Sequence, residues 1–287
     1  MVSNRLLTIG AGLGGISFWN TCKTLRVTTK AAADEAGIGR LVPEQPSPTT
    51  TLRNAMLTVA KATFGTQRRR PYAVRRLEEP GTFEVVQITP GAIANQYVQK
   101  FAAGITPGWS VSLLSGMYQT HLPDLVAAVM DERDYLPATV VSGIMVRALH
   151  LWGATLLKDD GGVWFLPGTH LEDYRAFSTR IRGNGDGPEF KCTQFEIASD
   201  PDTIGYVLTA LRTEVMAGVA EIMNDIMTAE GGMRDRSVAV RTNKANEFLR
   251  KVELYEQFTG RTLTDLTSAV VQAKNALAVS RMLAASI

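Results

Sequence analysis

Apolar residues recur at three- and four-residue steps along three stretches near the end of the chain. The first holds Ile204, Leu208, Leu211, Val215, Val219, Ile222 and Ile226. The second holds Ala245, Phe248, Val252 and Tyr255, and the third Leu263, Leu266, Val270, Ala273 and Leu277. That spacing lines one side of an α-helix. Ser199-Asp200-Pro201 opens the first stretch with a capping residue and a proline suited to a first turn, Gly231-Gly232 and Gly260 separate the stretches, and Thr262 stands before the third. Residues 199–287 therefore read as a coiled-coil-like helical bundle or long antiparallel hairpin.

The middle of the chain changes period. Pro123, Leu125, Val126, Val129 and Met130 predict one helix, and Asp134–Pro137 a short turn. Val140, Val141, Ile144, Met145, Ala148, Leu149 and Trp152 predict a second helix. Two short apolar runs then flank Asp159-Asp160-Gly161-Gly162, a β-hairpin pattern. Helix, turn, helix, hairpin is the order of a winged helix. A further helix carries Arg175, Arg180 and Arg182, and Phe190–Ile197 is strand-like. Residues 121–198 read as a winged-helix-like middle.

The first 120 residues are strand-rich. Ile16–Thr29 is full of β-branched and aromatic residues, and Thr28-Thr29 precede a short Ala-rich helix ended by Gly37. Three prolines make 41–48 a connector, and Pro48 opens a helix through about Phe64. Tyr72–Leu77, Thr82–Ile88 and Trp109–Leu114 are strand-like, with turns at Pro80-Gly81, Pro90-Gly91 and Pro107-Gly108. Residues 91–104 fit either period: Ile93, Tyr97 and Phe101 suit a helix, Gln96, Val98 and Lys100 a strand. A four-stranded meander over 71–115 is the expectation. The whole is an α+β fold divided at 1–120, 121–198 and 199–287.

Charge sharpens this division. Over 1–120 there are 13 Lys+Arg against 6 Asp+Glu, over 121–200 there are 7 against 12, and over 201–287 there are 10 of each. A basic front beside an acidic middle suggests separate partners, or contact between the two. The basic excess concentrates in Arg68, Arg69, Arg70, Arg75 and Arg76, with Tyr72 among them. Arginines interleaved with an aromatic can hold phosphates and stack on bases; they also serve as a solvated strand edge protected from aggregation. The hairpin region offers only Arg147 and Lys158 against Asp159 and Asp160, which argues against a DNA-reading wing.

Catalytic signatures are weak. Gly10, Gly12 and Gly15 form G-x-G-x-x-G, but no amphipathic helix follows and no acidic strand end lies about 20 residues on, so a dinucleotide turn is the lesser reading. His121, His150 and His170 have no histidine at i+4 for a helical metal pair. His170 has Glu172 and Asp173 nearby but no nucleophile in view, and Asp159-Asp160 suits a turn as well as a cation. Cys22 and Cys192 have no metal-ligand spacing and fit a reducing compartment. No run of about 18 apolar residues exists, and the N-terminus lacks a signal-peptide pattern. The expectation is a cytoplasmic protein with no cofactor, no metal and no membrane partner.

Several segments resemble a family of phage- and plasmid-encoded proteins without an established activity. They are Gly14–Trp19, Leu41-Val42-Pro43, Pro46-Ser47-Pro48, Leu52–Ala55 and the hairpin Gly161-Gly162-Val163-Trp164-Phe165-Leu166-Pro167. Members share a G-G-V-[YW]-F-[VL]-P hairpin followed by a coiled-coil-like helical tail. This chain departs from them before Trp19, where it is shorter and rich in glycine. The resemblance implies a mobile-element setting, in the host cytoplasm, and an overall layout, but no mechanism. Together these features predict a non-enzymatic accessory protein that binds and assembles. Its tail would contact itself or another protein, and its arginine-rich edge nucleic acid. The alternatives are a nucleotide-binding enzyme using Gly10–Gly15 and a purely structural ring or shell subunit.

Overall fold

The computed structural model describes residues 13–20, 22–65, 72–89, 94–116, 121–158, 162–181, 190–229 and 232–285. The fold is mixed α+β, and every described strand pairing is antiparallel. Strand β1 (Gly14–Trp19) is followed by the short β2 (Thr24–Leu25) and helix α1 (Arg26–Glu35). α2 (Pro48–Phe64), β3 (Tyr72–Arg76), β4 (Thr82–Thr89), β5 (Gln96–Ile105), β6 (Val111–Ser115) and α3 (Leu122–Asp134) come next. The chain continues through β7 (Tyr135–Leu136), α4 (Ala138–Leu151), β8 (Thr155–Leu156), β9 (Trp164–Pro167), α5 (Leu171–Ile181) and β10 (Cys192–Ile197). It ends in α6 (Pro201–Thr228), α7 (Asp235–Thr259) and α8 (Thr264–Ala285).

β9 organises the larger part of the molecule. It lies inside a four-stranded sheet of order β10-β1-β9-β8. Successive side chains of a strand point to opposite faces. Trp164 and Leu166 accordingly enter one apolar core, while Phe165 enters another. The first core gathers α1, α4 and α5, with Trp152 edge-on to Tyr174 at 5.9 Å and to Phe177 at 6.2 Å. The second is the inner face of α6, α7 and α8, where Phe165 lies 6.0 Å from the Tyr255 ring. α6 and α7 approach closely because position 218 is glycine: a Cβ there would run into the Phe248 ring. Asp200 caps α6 by accepting from the Asp202 and Thr203 amides, and Gly260 ends α7 in a left-handed turn at φ 66°.

A third core belongs to a module inserted into the first. β3, β4, β5 and β6 form a meander in chain order, with α2 and α3 on one face over Leu52, Met56, Phe83, Val85, Phe101, Leu125 and Val129. The module leaves and rejoins the body at one neck, where β2 pairs with β7. Arg26 clasps that neck. Its guanidinium donates to the Pro43 and Glu44 carbonyls on the way in, and to the Glu132, Arg133 and Tyr135 carbonyls on the way out. All three cores thus draw on segments from both sides of position 120, and the second also crosses position 198.

Three local readings are decided by the structure. α1 begins at Arg26, not behind Thr28-Thr29, because Thr29 is buried and its hydroxyl bonds to Thr24 Oγ1 at 2.8 Å rather than capping. Within 91–104 the described chain is extended from Gln96, and a bulge opposite Val85/Val86 breaks the alternation. Tyr97 therefore ends up exposed while Phe101 is fully buried, although they share helical spacing. Gly15 lies within β1, paired on both sides, and a Cβ there would meet Leu171 Cδ1 at 2.8 Å. It serves close packing, and no helix starts there to receive a pyrophosphate; Gly10 and Gly12 lie outside the described residues.

Candidate polyanion-binding face

β3 is the edge strand of the inserted sheet, so one side of its backbone is unpaired by β4. Alternation turns Tyr72 and Val74 toward the third core, against which both are partly buried. The Tyr72 hydroxyl donates to the Phe64 carbonyl at 3.2 Å, and the two rings lie 6.2 Å apart. Tyr72 is therefore a packing residue and not the base-stacking platform expected among the arginines. Arg75 faces the other way. It sits opposite Glu84 with the guanidinium 3.6 Å from the carboxylate, and 5.5 Å from the centre of the Tyr97 ring. Arg76 is exposed at the end of the strand. Arg68, Arg69 and Arg70 lie outside the described residues.

The face carrying Arg75 is the one away from α2 and α3. Tyr97 stands on it at 54% exposure, next to Gln99, which donates to Ser115 Oγ at 3.3 Å. Glu84 lies beneath Arg75 with only 15% of its side chain exposed. It offsets part of that charge. A cation over an exposed aromatic ring contributes about 0.5–1 kcal/mol. The arrangement leaves an aromatic face beside guanidinium donors, the combination that tracks a single nucleic-acid strand. Tyr97 was concealed in the sequence by the bulge, since neither strict alternation nor helical spacing places it beside Arg75.

The hairpin motif has a structural place. Gly162 is exposed, Val163 accepts from the Leu157 amide at 2.9 Å, and Trp164 and Pro167 are buried in β9; Gly161 lies outside the described residues. The His150 ring meets Trp164 edge-on at 5.0 Å. His170 Nδ1 lies 3.7 Å from Asp173, while Glu172 instead bonds Arg175 at 3.0 Å. His121 Nδ1 lies 3.6 Å from Asp124.

Two buried polar groups escaped sequence reasoning. Lys251 on α7 donates to Glu214 of α6 at 2.6 and 2.7 Å and to the Ala154 carbonyl at 2.6 Å. Burial lowers the ammonium's pKa, and Glu214 opposes that shift. Nearby, the Tyr255 hydroxyl bonds Thr155 Oγ1 at 2.7 Å. On the other side of the sheet, Ser17 Oγ lies 2.5 Å from the Tyr174 hydroxyl, which is 3.2 Å from Cys192 Sγ. Burial pushes the Tyr174 phenol far up, so it stays protonated. Lys251 fell between Phe248 and Val252 on an apolar stripe, which is the one signal that its charge is enclosed.

A family of unknown function, DUF6744, matches residues 13–286. The chain belongs to this family. No curated protein and no solved structure matches this DUF6744 chain. Among the described residues, no helix is long and apolar enough to cross a membrane.

Proposed function

We propose that this DUF6744 protein is a non-enzymatic binding protein of a mobile genetic element, which contacts single-stranded nucleic acid through the open face and arginine-rich edge of its inserted sheet. The observation that carries this reading is Arg75 stacked over the exposed Tyr97 ring on a sheet face that α2 and α3 leave uncovered. Arg76, exposed at the end of β3, adds positive charge at the same edge, and Arg68, Arg69 and Arg70 precede that strand in the sequence. The mobile-element setting rests on the sequence resemblance alone. The winged-helix-like reading of the middle rests on the order of α3, α4, β8 and β9 alone, since α3 packs in the third core and α4 in the first.

Assembly is the second half of the proposal. α8 keeps Val271, Val279, Met282 and Leu283 exposed on the side away from its core residues Leu266, Val270, Ala273 and Leu277. An apolar stripe of this kind supports association through the helical tail. Binding of a labelled oligonucleotide across 50–300 mM salt tests the first half: affinity is expected to fall log-linearly with salt, with a slope of roughly −0.7 per phosphate neutralised. Replacing the five arginines by Ser is expected to flatten the slope, and Tyr97→Ala to weaken binding with the slope unchanged. Binding that ignores both salt and the five substitutions would rule out the nucleic-acid reading. A monomeric mass at micromolar concentration would rule out assembly.

A further inference from the structure

A second basic site lies beside the start of α4, on elements the sheet face does not use. Arg40, Leu41, Pro43, Thr139, Val140 and Arg147 line an open cleft of about 680 Å³, with Gly143 as part of its wall. That volume falls within the range of small-molecule sites, roughly 300–1,000 Å³. The local sequence explains why the cleft is basic. Side chains on a helix lean toward its N-terminus. Arg147 accordingly lies back over Gly143, where no side chain obstructs it, and donates to the Leu41 carbonyl at 3.3 Å. That acceptor carries no formal charge, so the guanidinium is not neutralised. Arg40 has no ion pair among the described residues, and no acidic side chain lines the cleft. Thr139 adds a hydroxyl from the first turn of α4, which has neither a side-chain cap nor an acidic residue. The Val140 and Val141 amides are satisfied by the Pro137 carbonyl, leaving the two amides before them among the unsatisfied donors of a helix start.

We propose that this cleft binds a phosphorylated small molecule of nucleotide size. Its phosphate would sit between the Arg40 and Arg147 guanidinium groups and the Thr139 hydroxyl. Arginine's planar donors suit phosphate oxygens, and the helix start favours the negative charge. The remainder of the ligand lies against Leu41, Pro43 and Val140. This is a different site from the Gly10–Gly15 turn and from the arginines of β3.

Calorimetric and thermal-shift titrations of the full chain with adenosine 5′-monophosphate, inorganic phosphate and adenosine test the proposal. The monophosphate is expected to bind and raise Tm, inorganic phosphate to bind more weakly, and adenosine not to bind. Arg40→Ser and Arg147→Ser should each weaken the monophosphate on the order of tenfold. Thr139→Asp supplies the first turn with its own carboxylate, so it should keep or raise the ligand-free Tm while abolishing binding. Arg75→Ser combined with Arg76→Ser should leave monophosphate binding intact, which separates this site from the nucleic-acid face. Three results would each overturn the proposal: no binding of either phosphate compound at millimolar concentration, equal binding of adenosine, or monophosphate binding that survives loss of both Arg40 and Arg147.

Discussion

Lys251 shows how much a single residue can depend on its surroundings. Its side chain is 7% exposed and that of Glu214 22%, so the pair is largely withdrawn from water. Removing one member of such a pair leaves an uncompensated charge and costs about 3–5 kcal/mol, whereas replacing both with apolar residues is often neutral or stabilising. Lys251→Met is therefore expected to lower the urea midpoint sharply, and Lys251→Met with Glu214→Leu to recover most of the loss. A double variant no more stable than the single one would show that the Ala154 carbonyl, not Glu214, is the partner that matters. Lysine and glutamate are ordinarily read as solvated, so the residue types themselves point away from this pairing. Tyr97 escaped for a different reason: a bulge at Lys100, in its own strand, decided which face it occupies.

At the level of the element, β9 links the two larger cores. Four residues separate the sheet's contents, with Trp164 and Leu166 on one side and Phe165 on the other. Phe165 is fully buried, and truncating such a ring costs about 3–5 kcal/mol. Phe165→Ala should destabilise by that amount, and unfolding followed by tryptophan emission from the first core should shift together with helical circular dichroism from the second. Separate transitions would mean that β9 does not couple the cores. Phe195→Ala, at a site 57% exposed, serves as the control and should change stability by less than about 0.5 kcal/mol. The hairpin pattern about Asp159–Gly162 was legible because alternating apolar runs around a turn are local. The central place of β9 was not, since its partner β1 comes from the start of the chain.

Over the whole molecule, the inserted module depends on its neck. Arg26 joins the segment entering the module to the segment leaving it through five carbonyl contacts. Hydrogen bonds from a charged donor contribute about 1.5–3 kcal/mol in favourable settings, less where water competes. Arg26→Ala should therefore speed proteolysis within 42–47 and near 134–137 well before it changes the melting of the tail. Equal cleavage in wild type and variant would remove the clasp from the account. The charge division at position 120 suggested a front and a middle, but the cores are not divided there: α3 packs on the module and α1 on α4 and α5.

The sequence by itself determined the elements whose signals are local. α2, α4 and the three tail helices follow from apolar period, proline and capping residues within a few turns, and the meander follows from strands joined by tight turns. Only the tertiary structure decided what those elements enclose. Gly14 of β1 pairs with Pro167 on one side and Ile197 on the other, and Lys251 reaches back to Ala154. Such contacts depend on chain reversals that no window of ten or twenty residues contains. The candidate sites divide in the same way. The arginine cluster was visible as composition, while its stacking on Tyr97 and the cleft between Arg40 and Arg147 exist only because distant segments are brought side by side.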